Sequence, residues 1–438
     1  MTTFAPLFVP DEVAAAVSDR AWLAAMLDAE RALVNAEAIA GVVPAHLAGR
    51  IADRCSPDLY DVGDLACAGR SAGSPVEPLV QAIREGLAVE EAGFVHWGAT
   101  SQDILDSAAM LVTKRALGPI AGRLGDAADA CAALARAHRT TPIAGRTLLQ
   151  QATPTTFGLK AAGWLMGLRE ARALMEAVSA RRLRAQLGGA VGSLGVLGAR
   201  GPEVMRLYAR ELGLAEPLAP WHTERSCLIE LGAALAAVAA ACAKISGDVV
   251  LLAQTEVAEV REGGGGASST MPHKRNPAVS VRTLACAARA RRNAAALVAA
   301  EPHQHERAAG PWHAEWDAIT GALEGAGGAA AGARELLAGL EIDPARMRRN
   351  LDLTRGLVMA ERVTYAAAAR SGLLEARRLV TAAAERTAAE DVTFRQALTE
   401  AEGLGLRSDE IDAALDPAAG LESAAALVDR VLEGGESG

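Results

Sequence analysis

The chain has 438 residues, of which 51% are hydrophobic and only 3% aromatic, and its formal net charge at pH 7 is -9. This length allows about three domains of roughly 150 residues each. The acidic balance and the lack of a long basic run exclude the usual nucleic-acid-binding proteins, which present a basic face. The six cysteines form no CxxC pair and have no zinc-like spacing, so we expect no metal site.

The sequence also argues against membrane partners. The amino terminus lacks the pattern of a signal peptide, and no charge-free apolar run of about 18 residues occurs. We therefore expect a soluble, cytoplasmic protein. Alanine is abundant and β-branched runs are few, which predicts an all-α fold.

Residues 1–110 are predicted to form an N-terminal helical domain. Ser18 and Asp19 begin a helix that runs to Ala40, because its apolar residues alternate steps of three and four along one face. Residues 95–103 then combine small residues, two hydroxyls, an amide and a histidine before another helix, with Thr100 or Ser101 as its N-cap. Such uncharged donors suit carboxylate binding, although a capped turn around a packed tryptophan explains the same pattern.

Residues 111–355 are predicted to form a central domain of long helices. The clearest helix is 226–262, whose apolar residues keep a heptad spacing typical of a helix bundle. Continuing that spacing places Glu256 and Glu259 on the seam, where they either are solvated, or face a polar cavity or brace the following loop. Residues 145–158 are expected to begin as a loop, since Pro154 disrupts a helix, and Thr155 or Thr156 starts the next helix. Residues 356–438 form a C-terminal helical domain.

One stretch stands out, residues 263–277, which read GGGGASSTMPHKRNP. The glycine run predicts a flexible loop. Asn276 is a good N-cap and Pro277 suits the first helical position, so the loop should lead into a helix. Hydroxyls, a lysine and helix N-terminal amides together attract carboxylates or phosphates. The alternative is a solvated linker between helices.

The segment SSTMPHKRNP at residues 268–277 resembles the signature of the fumarase/aspartase superfamily. The polar clusters at residues 18–20, 95–103, 145–158, 221–225 and 310–316 follow in the family's order, and they are most similar to those of the 3-carboxy-cis,cis-muconate cycloisomerases. The resemblance implies three all-α domains with a central long-helix bundle. It also implies a homotetramer whose active sites combine segments of three subunits, a small polycarboxylate substrate, and no cofactor.

The resemblance implies conversion of 3-carboxy-cis,cis-muconate to 4-carboxymuconolactone, a step of aromatic catabolism in the β-ketoadipate pathway. One substrate carboxylate adds to a double bond, and the adjacent carbon is protonated. Two alternatives stay open. One is a lyase that eliminates a small group from a substituted succinate to give fumarate, and the other is a structural relative without catalysis.

The resemblance also assigns residues. Ser268 is expected to transfer the carbon-bound proton, with Ser269 second, and the other implied catalytic residues are Lys274 and His96. The implied substrate-binding residues are Arg20, Thr100, Ser101, Gln102, Thr147, Gln150, Met271 and Asn276. Two departures matter: Ala267 replaces the usual glycine, and Leu148 stands where adenylosuccinate lyases carry a general-acid histidine. A lactonisation needs no acid for a departing amine.

Overall fold

The structure is a computed structural model that describes residues 4–263, 266–267 and 271–434. It is mostly helical, which confirms the all-α prediction. The helices of the described residues are α1 (Ala5–Phe8), α2 (Asp11–Ala16), α3 (Asp19–Ile39), α4 (Ala45–Asp53), α5 (Val62–Ala72), α6 (Val76–Glu85), α7 (Val89–Ala92), α8 (Ser101–Ala137), α9 (Phe157–Arg182), α10 (Gly201–Leu212), α11 (Ser226–Leu252), α12 (Ala278–Ala299), α13 (Pro311–Ala338), α14 (Pro344–Asp352), α15 (Ala360–Ser371), α16 (Leu373–Ala389), α17 (Phe394–Thr399), α18 (Ser408–Leu415) and α19 (Glu422–Glu433).

Short antiparallel ladders join pairs of strands between these helices. The strands are β1 (Pro142–Thr147), β2 (Gln150–Thr156), β3 (Val260–Glu262), β4 (Gly266–Ala267), β5 (Arg275–Asn276) and β6 (Leu340–Ile342). β1 pairs with β2, β3 with β6, and β4 with β5.

The chain divides into two compact units. The first unit comprises Met1–Gly125, Glu170–Ala243 and Arg282–Ala333, and the second comprises Asp126–Arg169, Lys244–Val281 and Arg334–Gly438. The division falls inside long helices such as α8 and α11. The three domains expected at residues 1–110, 111–355 and 356–438 stay a prediction.

Helix α3 of the first unit forms as its sequence predicts. Ser18 is the N-cap, and its hydroxyl accepts a hydrogen bond from the amide of Ala21 at 3.2 Å. The helix ends before Gly41, whose φ of 70° lies in the left-handed region. Its apolar face is buried, and α10 packs against it.

Helix α11 confirms the heptad seam but is shorter than predicted. All eight seam residues are buried, namely Leu228, Leu231, Leu235, Val238, Cys242, Ile245, Val249 and Leu252. The helix ends at Leu252 rather than at residue 262, so Glu256 and Glu259 lie beyond it. A turn closed by the Glu259 amide on the Leu252 carbonyl, at 2.9 Å, redirects the chain into β3. The strand pairing of β3 and the ion pair of Glu259 described below outweigh another helical turn.

α11 is also long and apolar enough to cross a membrane by length and composition. Half of its apolar window is buried inside the molecule, and the core helix of a soluble protein passes the same test.

The segment expected to begin as a loop is a β-hairpin in the second unit, so that prediction was wrong. β1 and β2 pair from Pro142 opposite Thr156 to Thr147 opposite Gln150. Pro154 is tolerated because it lies beside a register shift in a ladder of only two strands, where its missing N–H needs no partner. Thr156 caps α9, as one of the two predicted options, by accepting a bond from the amide of Leu159 at 3.0 Å.

Candidate active site

The predicted site residues fall into two groups. Those in the first unit are Arg20, His96, Thr100, Ser101 and Gln102, and those in the second unit are Thr147, Gln150, Met271, Lys274 and Asn276. Ser268 and Ser269 lie outside the described residues. Each group is built by its own local contacts, and its roles in binding and catalysis stay predictions.

Asp103 organises the start of α8 in the first unit. Its buried carboxylate accepts hydrogen bonds from the amides of Thr100 at 3.0 Å and of Gly188 and Gly189 at 2.9 Å each. It also accepts from His222 Nε2 at 2.7 Å. Thr100 is the N-cap, as one predicted option, because α8 starts at Ser101. This carboxylate therefore fixes the segment that carries Thr100 and Ser101.

The side chain of Gln102 forms its hydrogen bonds with other groups of the protein. Its side chain is fully buried, and Nε2 donates to Asp106 Oδ2 at 3.1 Å and to the His222 carbonyl at 2.9 Å. Its Oε1 accepts from Arg307 Nε at 3.0 Å. Both N–H groups of the Gln102 amide are therefore used among the described residues, and neither is left to donate to a substrate carboxylate.

A buried ion-pair cluster lies behind Gln102. Arg225 donates to both oxygens of Asp106, at 2.7 and 3.0 Å, and to both oxygens of Glu315, at 3.1 and 2.5 Å. Trp312 Nε1 adds a bond to Asp106 at 3.0 Å. Burial raises the pKa of Glu315 to about 7, although Arg225 opposes the shift. Removing one member would leave a buried charge unpaired, so this cluster ties the start of α8, which carries Gln102, to Arg225 and α13.

His96 adopts a strained backbone and contacts a buried acid. Its φ of 61° lies in the left-handed region, which costs a residue other than glycine about 1 kcal/mol. Its Nδ1 donates to Glu30 Oε1 at 2.6 Å, and Glu30 is only 2% exposed. Burial lowers the pKa of His96, but Glu30 and then Asp103 raise it, and the net pKa lies above the usual value. The geometry favours an imidazolium.

Arg20 lies apart from these buried contacts. Its side chain is exposed and pairs with Asp58 at 2.5 Å, on the surface of the first unit.

In the second unit, the hairpin brings two predicted residues opposite each other. Thr147 and Gln150 are the last paired residues, and Leu148 and Leu149 form the tip with φ values of 50° and 65°. Leu148 is 96% exposed. Two adjacent leucines in the left-handed region, facing solvent, are costly for both backbone and hydration. The tip therefore presents an apolar surface beside hydrogen-bonding side chains.

A buried ion pair anchors the hairpin to the rest of the second unit. Arg146 donates to both oxygens of Glu259 at 2.9 and 2.8 Å, and Asn350 Nδ2 donates to the same carboxylate at 2.8 Å. Glu259 is 0% exposed, so this bidentate pair is shielded from water. Of the two acidic seam residues, Glu259 braces the hairpin rather than the glycine loop, and Glu256 is exposed.

The start of α12 differs from the prediction. The helix begins at Ala278, which makes Pro277 rather than Asn276 the cap position, and Asn276 lies in β5. β4 pairs with β5 across Gly266 and Asn276, and this ladder stops the helix from extending backward. The amides of Val279 and Ser280 donate to the carboxylate of Glu262, at 3.0 and 2.9 Å. Two of the amides predicted to attract a substrate therefore already hold an internal carboxylate.

The glycine run is fixed at its first residue. The amide of Gly263 donates to the carbonyl of Gly339 at 2.8 Å, and a Cβ at this position would meet that carbonyl oxygen at 2.6 Å. Glycine is needed here for the close approach of two backbones. The prediction of flexibility covers Gly263–Gly266; Gly266 lies in β4, and Gly264 and Gly265 lie outside the described residues.

A cavity of about 780 Å³ opens beside this region in the second unit. Asn276 and Pro277 line it together with His273, Arg275 and Glu262. Lys274 and Met271 are exposed next to it, and the amide of Lys274 donates to the Met271 carbonyl at 3.0 Å. A cavity of this size exceeds what a small polycarboxylate needs. Among the described residues, no group of three or more His, Cys, Asp and Glu side chains could hold a metal ion.

Comparison with known proteins identifies the family. Residues 9–291 match the family model described as lyase, and residues 356–431 match the model described as adenylosuccinate lyase C-terminus. The chain belongs to the fumarase/aspartase superfamily. This superfamily assignment rests on most of the chain, because the first model alone covers more than half of it.

Named members of the superfamily are similar over the full length. A 3-carboxy-cis,cis-muconate cycloisomerase of Bradyrhizobium diazoefficiens is 43% identical, covering 98% of this chain and 97% of the relative. A nitrosuccinate lyase of Streptomyces davaonensis is 44% identical, covering 98% and 94%. The crystal structure of the 3-carboxy-cis,cis-muconate lactonizing enzyme of Pseudomonas putida matches with a TM-score of 0.92 at 40% identity, covering 98% of each chain. The fold is that of a superfamily enzyme, and the relatives differ in their reactions.

The residues that support this site were not predicted from the sequence. For Glu30 and Asp103, the sequence contains a pattern that could have identified each of them. Glu30 falls on the apolar face of α3, between Met26 and Leu33, where an acid needs a partner. Thr100 and Asp103 have the spacing of a capping box. The pairing of Arg225 with Asp106 had no local signal, because its members are more than a hundred residues apart.

Proposed function

We propose that this enzyme converts 3-carboxy-cis,cis-muconate to 4-carboxymuconolactone. The observation that carries the proposal is the hairpin tip, where Leu148 and Leu149 stand between Thr147 and Gln150. The tip offers hydrogen-bond donors and an apolar surface but no titratable group. Ring closure fits such a site, since no leaving group departs and none has to be protonated. The similarity to a cycloisomerase and to a lactonizing enzyme supports the same choice.

The proposed reaction forms one C–O bond and one C–H bond. An oxygen of one substrate carboxylate attacks a carbon of the conjugated double bond. The displaced electron pair moves toward the carbon beside another carboxylate, which becomes a dianionic aci-carboxylate. Ser268 then delivers a proton to that carbon. Lys274 and Asn276, with Thr100, Ser101, Thr147 and Gln150, stabilise the charge on the carboxylates.

The proposal includes assembly of a homotetramer in the cytoplasm, with each site built from three subunits. Neither group of predicted residues is sufficient alone. The first unit supplies His96, Thr100 and Ser101, and the second supplies the hairpin and the segment around Lys274. Sharing between subunits would bring both groups to one substrate.

A second candidate is a lyase acting on a substituted succinate. The nitrosuccinate lyase relative supports it, since it is as similar to this chain as the cycloisomerase is. Loss of nitrite, like ring closure, needs no protonation of the leaving group, so the same hairpin tip accommodates it.

A substrate panel tests the proposal. Purified protein is mixed separately with 3-carboxy-cis,cis-muconate and with nitrosuccinate, and one preparation serves both assays. We expect loss of the muconate ultraviolet absorbance and neither fumarate nor nitrite from nitrosuccinate. Fumarate and nitrite release with unchanged muconate absorbance would establish the lyase instead. Absence of turnover from both, and from other substituted succinates, would favour a non-catalytic relative.

A further inference from the structure

The contact between His96 and Glu30 has a geometry that packing alone does not require. Glu30 is buried on α3, and its Oε1 accepts from His96 Nδ1 at 2.6 Å. The His96 backbone lies in the left-handed region, with a φ of 61°, where this contact is made. Strained residues of this kind persist where the surrounding structure holds them, often at functional sites.

The other ring nitrogen of His96 points to a second use. Among the described residues none forms a hydrogen bond with Nε2, and the side chain is 14% exposed. With Nδ1 held by Glu30, a protonated ring has one N–H left to donate. Thr100 and Ser101, which the proposed function assigns to substrate carboxylates, lie four and five residues further along the chain.

We propose that Glu30 is a positioning residue that keeps His96 cationic, so that the Nε2–H of His96 binds a carboxylate of the substrate. The role of the bound carboxylate rests on the proposed function, whereas the pairing of Glu30 with His96 does not.

The charges around His96 support the assignment of Glu30 as its partner. Besides Glu30, His96 faces Asp103 on α8, which raises its pKa, and Arg84 on α6, which lowers it. Asp103 already accepts four hydrogen bonds within the chain, including one from His222. Glu30 is therefore the direct charge partner of His96.

Three other titratable groups that interact with Glu30 are neutral near pH 7, whereas Arg31 and Asp28 on the same helix carry charge. Burial, and then Glu30, raise the pKa of Glu37 to about 9, and burial raises the pKa of Cys55 to about 12. Burial likewise raises the pKa of the Tyr208 hydroxyl. Glu37 lies two turns along α3 from Glu30, and both its carboxyl oxygens are buried, with no hydrogen-bond partner in the part of the chain that the structure describes.

The sign of the expected shift follows from these charges. The cation is present below the raised pKa of His96 and is lost as the pH rises through it. Glu30→Gln removes the negative charge, while burial still favours the neutral ring. The pKa of His96 should then fall by at least about one unit. At a given pH, this lowers the ratio of protonated to neutral His96 about tenfold.

Histidine-selective NMR of the full-length protein measures this directly. The chain has only eight histidines, and the resonance missing from His96→Gln assigns the site. We expect a pKa above the usual value in the wild type, a lower pKa in Glu30→Gln, and no change in Glu37→Gln. Glu37→Gln is the matched control, because it makes the same exchange on the same helix at a carboxyl that is already neutral.

Two results would overturn the pairing: a wild-type pKa at or below the usual value, or equal pKa values in wild type and Glu30→Gln. If Glu30→Gln does not fold, Glu30→Asp replaces it. That variant keeps the charge but shortens the side chain, so a smaller fall is expected and an unchanged pKa overturns the pairing.

Carboxylate binding by His96 is tested with tricarballylate. This saturated tricarboxylate has no double bond, so the enzyme cannot convert it by ring closure. Its addition should raise the pKa of His96 further in the wild type, and near pH 7 it should bind Glu30→Gln more weakly than the wild type. No change at saturating tricarballylate, judged by calorimetry, or no binding at all, overturns carboxylate binding by His96. These measurements need no turnover, so they are independent of the substrate panel.

Discussion

Ser280 donates two hydrogen bonds to one carboxylate oxygen of Glu262, from its amide at 2.9 Å and from its hydroxyl at 2.5 Å. Glu262 thus satisfies the amino end of α12 from within the chain. The sequence predicted that this helix end would attract a substrate carboxylate. Because Glu262 is buried there, the proposed function leaves substrate binding in this region to side chains, chiefly Lys274 and Asn276.

Replacing Glu262 should cost stability. Glu262→Gln removes the negative charge at the helix end and places an N–H group against other donors, so we expect a loss of about 1–2 kcal/mol in the free energy of unfolding. Urea denaturation followed by circular dichroism measures it. Glu256→Gln is the control, since Glu256 is exposed, and it should change stability by less than about 0.5 kcal/mol. Equal losses in the two variants would show that the contact of Glu262 with the amino end of α12 does not stabilise the fold.

The brace under the hairpin should matter for both stability and activity. Glu259→Gln leaves Arg146 partly buried without its bidentate partner, and we expect a loss of about 3 kcal/mol. Because Arg146 adjoins Thr147, the hairpin should also be misplaced and KM should rise. The exposed pair of Arg261 with Glu341 supplies the control. Glu341→Gln should cost less than about 1 kcal/mol and leave KM unchanged.

The hairpin tip should trade stability against activity. Replacing Leu148 and Leu149 with Asn-Gly suits their positive φ values, so thermal stability should stay equal or rise. If the leucines cover the substrate, as the proposed function requires, kcat/KM should fall by at least about tenfold, or about 1.4 kcal/mol in transition-state binding. Full activity in this double variant would show that the apolar tip is dispensable.

Much of this fold follows from local patterns. Ser18 and the apolar spacing of α3 place that helix to within a residue, and the seam of α11 identifies its buried face. Such patterns repeat every three or four residues, so they are visible in a single sequence. The seam could not show where α11 ends, because the end depends on Glu259 meeting Arg146 and Asn350 from distant parts of the chain.

The candidate site was only partly predictable for the same reason. Thr147 and Gln150 were singled out by their chemistry, but Pro154 concealed the hairpin that places them opposite each other. Gln102 has the chemistry of a substrate donor, yet its three hydrogen bonds are made inside the protein. Chemistry-bearing residues can thus be selected from the sequence, whereas their partners depend on tertiary contacts.

Substitution of the two adjacent serines tests which of them transfers the proton. Ser268→Ala should lower kcat by at least about a thousandfold, because the reacting carbon loses its proton donor, while the oligomer seen by light scattering is unchanged. Ser269→Ala is the matched control and should lower kcat by less than about tenfold. The opposite ranking would move the role to Ser269.

The most direct test of the proposed reaction is to incubate the enzyme with 3-carboxy-cis,cis-muconate in D₂O and to examine the product by NMR. Intramolecular addition followed by protonation predicts 4-carboxymuconolactone that carries one carbon-bound deuterium, in a single configuration, beside a carboxylate. Recovery of unchanged, deuterium-free muconate from active-site concentrations of folded enzyme would contradict the cycloisomerase assignment.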